Sequence, residues 1–272
     1  MAAARTEPIE ISNAVQDYAK AIWSLAQRSD APVSTSALAD RLHVSPASAS
    51  AMVKRLESLG LASREPYHGV QLTRAGERVA LEVLRHHRLL ELYLAEALGM
   101  PWDRVHEEAE KLEHAISPEL SELIAAKLGN PTHDPHGDPI PTRDGEIDES
   151  PTRALADLRP GERGVFSRVS DSNPDMLRYL SERGIAPGDE LELAGREPFG
   201  GPLTVRANGR EHALGDLLAR AMRVVPAKKR FGPGRSPTTS RPSSTRSRRT
   251  GASSSSTSGS PTRTDTSTQP RC

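Results

Sequence analysis

Apolar residues recur at helical spacing through the first half of the chain and give way to short alternating runs in the second. Ile11, Val15, Tyr18, Ile22 and Leu25 predict a helix over 9–27. In "STSALADRLHV", Leu38, Ala39 and Leu42 share one face of a second helix. In "SPASASAMVKRLESLG", Ser45 is an N-cap and Pro46 takes the first helical position, where its missing N–H costs nothing. Ala49, Met52, Val53 and Leu56 form the apolar stripe of this helix, and Gly60 suits its stop. A short strand, a turn at "PYHG" and a strand "VQLT" complete the pattern of a winged helix-turn-helix. One long helix follows from Arg74 to Leu98, ended by Gly99 and Pro101. "WDRVHEEAEKLEHAIS" reads as another, with Asp103 a candidate cap, and Ser117–Pro118 open a third that runs to about Leu128. The stretch "GNPTHDPHGDPIPTRDGEIDESP" is a turn-rich connector.

Residues 152–226 change period. "GVFSRV", "DELELAG" and "LTVRANGREHAL" read as strands, with Asn208–Gly209 a type I′ hairpin turn and a short helix at "PDMLRYLSERG". A small β-barrel of roughly 70 residues is expected there. Beyond residue 226 the chain is rich in Ser, Thr, Pro and Arg and too poor in apolar side chains to offset ordering entropy, so disorder is expected. The expected organisation is α+β. It comprises a winged helix-turn-helix (1–75), a helical domain (76–145), a barrel (150–226) and a disordered basic tail (227–272).

Composition sharpens this reading. Formal net charge is zero, yet ten of the 36 Lys/Arg and only one of the 36 Asp/Glu lie from Ala227 onward. The body is therefore near −9 and the tail near +9, so an acidic body sits beside a cationic strand suited to non-specific phosphate contact. The single cysteine, Cys272, excludes an internal disulfide. No apolar run is long enough to span a bilayer, the first ten residues lack the apolar core of a secretory leader, and a cytoplasmic protein is expected.

The stretch "HEEAEKLEH", His106 to His114, carries two histidines and four glutamates. At about 100° per residue, His106, Glu110, Glu113 and His114 fall in an arc about 100° wide, while Glu107 and Glu108 drift away from it. His87 and Glu91, four apart on the preceding helix, also share a face, and the first helix offers Asp17. Three helices thus converge imidazole nitrogens and carboxylate oxygens on a divalent metal such as Mn(II), Fe(II), Co(II), Ni(II) or Zn(II). Solvated faces with i, i+4 charge pairs are the plainer alternative. The zinc-protease pattern fails, because Glu110 stands where its second histidine belongs.

"HHRLLELYLAEALG", "VHEEAEKLEH" and "DPHGDPIP", in this order, resemble the diphtheria-toxin-repressor family of metal-dependent transcriptional repressors over residues 9–226. The resemblance implies an SH3-like, FeoA-like barrel, a homodimer and two metal sites per subunit. His87, Glu91 and His106 resemble the structural site, to be completed from the barrel by Asp171 and Asp175. Asp17, Glu110, Glu113 and His114 resemble the regulatory site. The founding iron-sensing member carries Met and Cys at the positions of Asp17 and Glu110. The manganese-sensing branch carries Asp and Glu there, so Mn(II) is the expected cofactor and Fe(II) the alternative. Lys20 stands where two-domain manganese sensors carry a glutamate, which favours two separate sites over a two-manganese cluster. Arg88 matches an anion-binding arginine of the family, and Asp134 and Asp138 replace the anion's polar partners.

The third helix is then the recognition helix, presenting Ser45, Ala47, Ser48, Ser50, Ala51, Lys54 and Arg55 to double-stranded DNA, with Arg64 on the wing. Hydroxyls and small apolar groups suit base edges, and the cations suit phosphates. The expected function is a metal-activated repressor bound to a palindromic operator, with no membrane and no small-molecule substrate. Two other classes fit the sequence less well. A metallohydrolase lacks a spare base beside an open coordination position. A metal store leaves the winged helix without a purpose.

Overall fold

Hydroxyl caps set where the helices begin. Ser34, Ser45, Thr73 and Ser117 each accept a hydrogen bond from the backbone N–H three residues on, at 3.1 to 3.2 Å. The computed structural model describes residues 11–27, 31–65, 69–148 and 150–227. The start of the first expected helix, the wing tip with His68, and the tail from 228 onward, with its expected disorder, lie outside the described residues.

Helices α1 (Asn13–Ala26), α2 (Thr35–Leu42) and α3 (Pro46–Ser58) and the hairpin β1 (Ala62–Glu65) and β2 (Gly69–Leu72) form the winged helix-turn-helix. Val15, Tyr18, Ile22, Leu38, Val53, Leu56 and Val70 pack together at its centre. Helix α4 (Arg74–Glu96) then runs back along α1 and carries α5 (Val105–Leu112) and α6 (Pro118–Lys127), with Leu89, Leu90, Ala109, Ile124 and Ile140 between them.

The segment expected to be helical from Trp102 onward starts late and stops early. Arg104 holds the N-cap position and supplies no side-chain cap, because Asp103 turns instead to Arg178, 3.4 Å away. The helix ends at Leu112, so Glu113 is its C-cap and His114 lies in the turn beyond.

The C-terminal unit is built from β3 (Arg153–Ala154), β4 (Arg163–Val169), α7 (Pro174–Ser181), β5 (Glu190–Arg196), β6 (Leu203–Ala207), β7 (Arg210–Leu214), α8 (Asp216–Ala221) and β8 (Met222–Pro226). Its strands form one antiparallel sheet in the order β3-β8-β4-β5-β6-β7, with register shifts in β4 and β5 that help it curl. Phe166, Leu177, Leu180, Leu191, Leu193, Leu203 and Val205 fill its core. Truncating Phe166, fully buried, to alanine costs about 3–5 kcal/mol. The hairpin turn Asn208–Gly209 has both residues at positive φ, as a type I′ turn needs. Strands β3 and β8 and helix α8 were not expected, being too short to show a period.

One glycine seats this sheet against the helices. Gly137 has φ +86, and a Cβ there would lie 1.9 Å from the Ser167 carbonyl oxygen. Beside it the Val169 N–H donates to the His136 carbonyl at 3.0 Å, and Arg168 pairs with Asp138 at 3.2 Å. The loop after β4 is thereby carried to α4 and α5.

Candidate metal centre

Two groups of metal-competent side chains meet near the start and end of α5. In the first, α4 aims His87 and Glu91 from adjacent turns, α5 adds His106, and the loop after β4 adds Asp171. The Nε2 of His87 lies 3.0 Å from Glu91 Oε1 and 3.1 Å from His106 Nδ1. The same His106 nitrogen lies 3.2 Å from Glu91 and 3.0 Å from Asp171 Oδ2. All four donor atoms lie within 4.8 Å of one another. Two imidazole nitrogens facing each other between two carboxylates satisfy one another only through shared protons or a shared cation, so the donor set fits a divalent metal. Electrostatics of the protein alone agree. Burial opposes charge on His87 and His106, yet Glu91 and Glu113 around His87, and Asp171 and Glu91 around His106, push the two up to about 9 and about 10. Asp171, despite burial, is drawn down to about 2, chiefly by His106.

Asp175, the other barrel candidate, is not brought to this group. It stands in the first turn of α7, its side chain is 87% exposed, and it pairs with Arg178 at 3.0 Å. The helix that begins at Pro174 turns its carboxylate to solvent.

The second group joins α1 to the end of α5. The Nε2 of His114 lies 2.8 Å from Asp17 Oδ1 and 3.4 Å from Glu113 Oε1. Its Nδ1 is 2.6 Å from Gln16 Oε1, a contact that orients the ring and directs Nε2 at the carboxylates. One imidazole nitrogen and two carboxylates at this spacing again fit a cation. Burial pushes the Asp17 carboxyl up, against the pull of His114. Glu110 is not among these three. Its Oε1 pairs with Lys20 at 2.8 Å and lies 3.8 Å from both His87 and His106.

Glu113 links the groups. Its Oε1 belongs to the second, while its Oε2 lies 2.6 Å from His87 Nδ1, whose other nitrogen serves the first. Burial opposes its charge, but His87 and Lys20 hold its carboxyl below the usual range.

No periodic sequence pattern points to His136, and Asp134 is expected only as a replacement for a polar partner of the anion. Both line a wholly buried group with Glu91. Nε2 of His136 donates to the Trp102 carbonyl at 2.8 Å, leaving Nδ1 3.6 Å from Glu91 Oε2, with neither atom hydrogen-bonded. The quoted string "DPHGDPIP" carried the signal, but an irregular connector has no period from which to read its facing. Arg88 lies 3.7 Å from Asp134, 3.9 Å from Asp138 and against the Pro139 carbonyl, so carboxylates of the chain surround the arginine that resembles the family's anion-binding one.

On α3, Ser45, Ala47, Ser48, Ala51, Lys54 and Arg55 are exposed and Ser50 is half-buried; Arg64 is exposed on β1. Ser45 caps the helix through the Ser48 N–H, and its hydroxyl also meets that of Ser48 at 2.9 Å.

A winged helix-turn-helix tied by clustered imidazoles and carboxylates to a helical layer defines a metal-dependent DNA-binding regulator. Comparisons with known proteins agree domain by domain. The N-terminal DNA binding domain of iron dependent repressors matches residues 10–70, their metal binding and dimerisation domain 73–142, and a FeoA domain 153–226. The chain is 30% identical over 227 residues to the diphtheria toxin repressor of Corynebacterium efficiens, spanning 79% of this chain and 96% of that one. It is 29% identical over 230 residues to the iron-dependent repressor IdeR of Mycobacterium tuberculosis, spanning 79% and 98%. A solved manganese-dependent transcriptional repressor in complex with manganese is 43% identical, with a TM-score of 0.74 over 78% of this chain and 100% of that one. The chain belongs to the diphtheria toxin repressor family of metal-dependent DNA-binding repressors. Among the described residues, no helix is long and apolar enough to cross a membrane.

Proposed function

We propose that this repressor is activated by Mn(II), acts as a homodimer on an inverted-repeat operator and controls metal-homeostasis genes in the cytoplasm. The observation that carries the reading is the group Asp17, Glu113 and His114, which spans from the DNA-binding domain to the helical layer. Its donors are hard oxygens and an imidazole, without the thiolate or thioether of an iron-sensing set. Glu110, held by Lys20 in this structure, is the candidate fourth donor. His87, Glu91, His106 and Asp171 would hold the second ion, and its chemistry is structural: a cation there lets helices and barrel share one set of ligands.

The metal's part is charge: one divalent ion offsets the Asp17 and Glu113 carboxylates. The chain does the rest. Asp17 draws α1, and with it α3, toward Glu113 and His114, setting the separation of two recognition helices in the dimer. Gln16, 2.6 Å from Nδ1, would hold the His114 ring with Nε2 toward the ion. Exposed Leu98, Leu120 and Leu123 on the helical layer support self-association there. On DNA, Lys54, Arg55 and Arg64 would contact phosphates, and Ser45, Ala47, Ser48, Ser50 and Ala51 would face the groove. No residue is assigned to catalysis.

Fe(II) is the second reading, favoured by the iron-dependent repressor IdeR at 29% identity. Operator binding under buffered Mn(II) and, anaerobically, Fe(II), each at cellular concentrations, decides between them. Mn(II) activation is expected, with Asp17→Met moving preference toward iron. A response to Fe(II) alone would overturn the manganese assignment and leave the repressor.

A further inference from the structure

A cavity of about 610 Å³ lies between the first half of α4, the start of α6 and the loop 142–145. No residue of the two metal groups lines it. Its wall has mixed charge, with Arg78 and Arg143 set among Glu82 and Glu119, all four exposed. The wall also holds two polar atoms that are shut off from water and make no hydrogen bond among the described residues, Ser121 Oγ and Arg85 Nε. Ser121 is 1% exposed. The other nitrogens of Arg85 are satisfied, one by the Pro141 carbonyl and one by Glu122, each at 2.8 Å. Buried polar groups are almost always paired, and a hydroxyl and a guanidinium N–H can both donate to a carbonyl oxygen. The wall therefore asks for acceptors.

Helix α1 leads the chain to this place. Traced backward, it meets Glu110 through Lys20, then His114 through Asp17 and again through Gln16. It thus heads for the turn after Leu112, and Pro118 and Glu119, just past that turn, line the cavity. His86 lines it too, with Nδ1 3.2 Å from the Glu113 carbonyl. Residues 1–10, which precede this point, lie outside the described residues, and ten residues reach at most about 33–36 Å. We propose that the segment 1–10 of the same chain docks in this cavity, adding a link between the DNA-binding domain and the helical layer that needs no metal. Its backbone carbonyls supply the acceptors that Ser121 and Arg85 lack. Pro8 biases Glu7 to an extended backbone, which presents those carbonyls. Arg5 answers Glu82 and Glu119, while Glu7 and Glu10 answer Arg78 and Arg143. Matching of both signs favours this segment over the chain beyond residue 226, where ten cations stand against one acid. Leu123 at the rim belongs to the face that supports self-association, so a second copy is the competing occupant. The inference goes beyond the metal-dependent reading and does not depend on it.

The test uses the full chain without metal, as Cys272→Ser with nitroxide labels on Ala4→Cys and Asp144→Cys. Labelled chain is diluted into excess unlabelled chain, so that a dimer holds one labelled subunit. Double electron–electron resonance should give one narrow distance. Arg5→Glu should broaden it, and so should Glu119→Arg, with melting temperature and oligomeric state recorded for each. The two changes together should restore the narrow distance, because the charges are then exchanged. Arg5→Glu decides alone if Glu119→Arg disturbs folding. Independently, backbone amides of residues 1–10 in the native chain should exchange roughly tenfold slower than in a free peptide of the same sequence, and Arg5→Glu should remove that slowing. A broad distance with the native charges, a narrow one that neither charge change disturbs, or peptide-like exchange in the native chain overturns the proposal. A narrow distance that appears only when both subunits are labelled gives the cavity to a second copy and overturns it as well. Metal-dependent repression stands in every one of these cases, since no metal is present.

Discussion

The two metal groups share Glu113 and His87 through one hydrogen bond, yet they join different things. The group at His87, Glu91, His106 and Asp171 closes the helical layer onto the C-terminal sheet, with Glu91 fully buried and the loop held by Gly137 against Ser167. The group at Asp17, Glu113 and His114 closes the same layer onto the DNA-binding domain, with Asp17 more than a third exposed and Lys20 beside it. One is balanced by two imidazoles and set among fixed contacts. The other sets two carboxylates against one imidazole, with Lys20 also paired to Glu113. On the proposed reading, similar donor atoms would serve architecture or switching according to what the ligands tether and how much else already holds it.

Removing a ligand from each group should separate these roles most widely. Asp17→Ala should abolish Mn(II)-dependent operator affinity, a loss on the order of a hundredfold or more, with folding and dimer preserved, because allosteric coupling of this kind is worth up to about 150-fold and its tether to α1 is gone. Fluorescence anisotropy with a palindromic duplex reads this. Asp171→Ala should instead reduce the Mn(II)-induced rise in melting temperature and cut metal affinity roughly 10–100-fold, with part of the DNA response retained. Equal losses of DNA response in Asp17→Ala and Asp171→Ala would erase the distinction.

Acidity sharpens the same contrast. Metal ligation needs neutral imidazole, while the protein alone holds His87 near 9 and His106 near 10. Binding at the structural group should therefore expel about two protons at neutral pH, and affinity should rise as pH rises from 7 toward 9. Calorimetry in buffers of different ionisation enthalpy counts those protons. Without metal the sign reverses. The stability gained from these imidazolium pairs is fully present below about 6.5 and is lost as pH rises through the range 9 to 10.

Smaller effects are expected on the DNA face. Lys54→Ala should weaken specific and random DNA alike and reduce the salt slope by about one, whereas Ser50→Ala should alter sequence preference more than slope. Asp175→Ala should change nothing measurable in metal binding, since its carboxylate faces solvent beside Arg178.

What could be read from the chain follows from what is periodic. His87 and Glu91 share a face because they sit four apart inside a long helix, and α3 was legible from Ser45, Pro46 and its stripe. Glu113 and His114 were legible as residues but not as geometry, since the helix stops at Leu112 and the turn aims them at α1. Asp171 could be narrowed only to a pair with Asp175, because its position depends on a long-range contact at Gly137 that no local pattern encodes. Lys20 showed as a departure from the family's pattern, and its partners emerged only with α1 laid against α4 and α5. His136 and Trp102 meet across 34 residues through a connector without secondary structure.

On the proposed reading, metal at Asp17, Glu113 and His114 fastens α1 to the helical layer. Hydrogen exchange of the backbone amides of Asn13–Ala26, with and without Mn(II), tests it most directly. The native protein should show slower exchange along α1 and in the turn after Leu112 when Mn(II) is bound. In Asp17→Ala that slowing should vanish, while slowing in the loop around Asp171 persists. Identical metal-induced protection of α1 in the native and Asp17→Ala proteins would contradict the account.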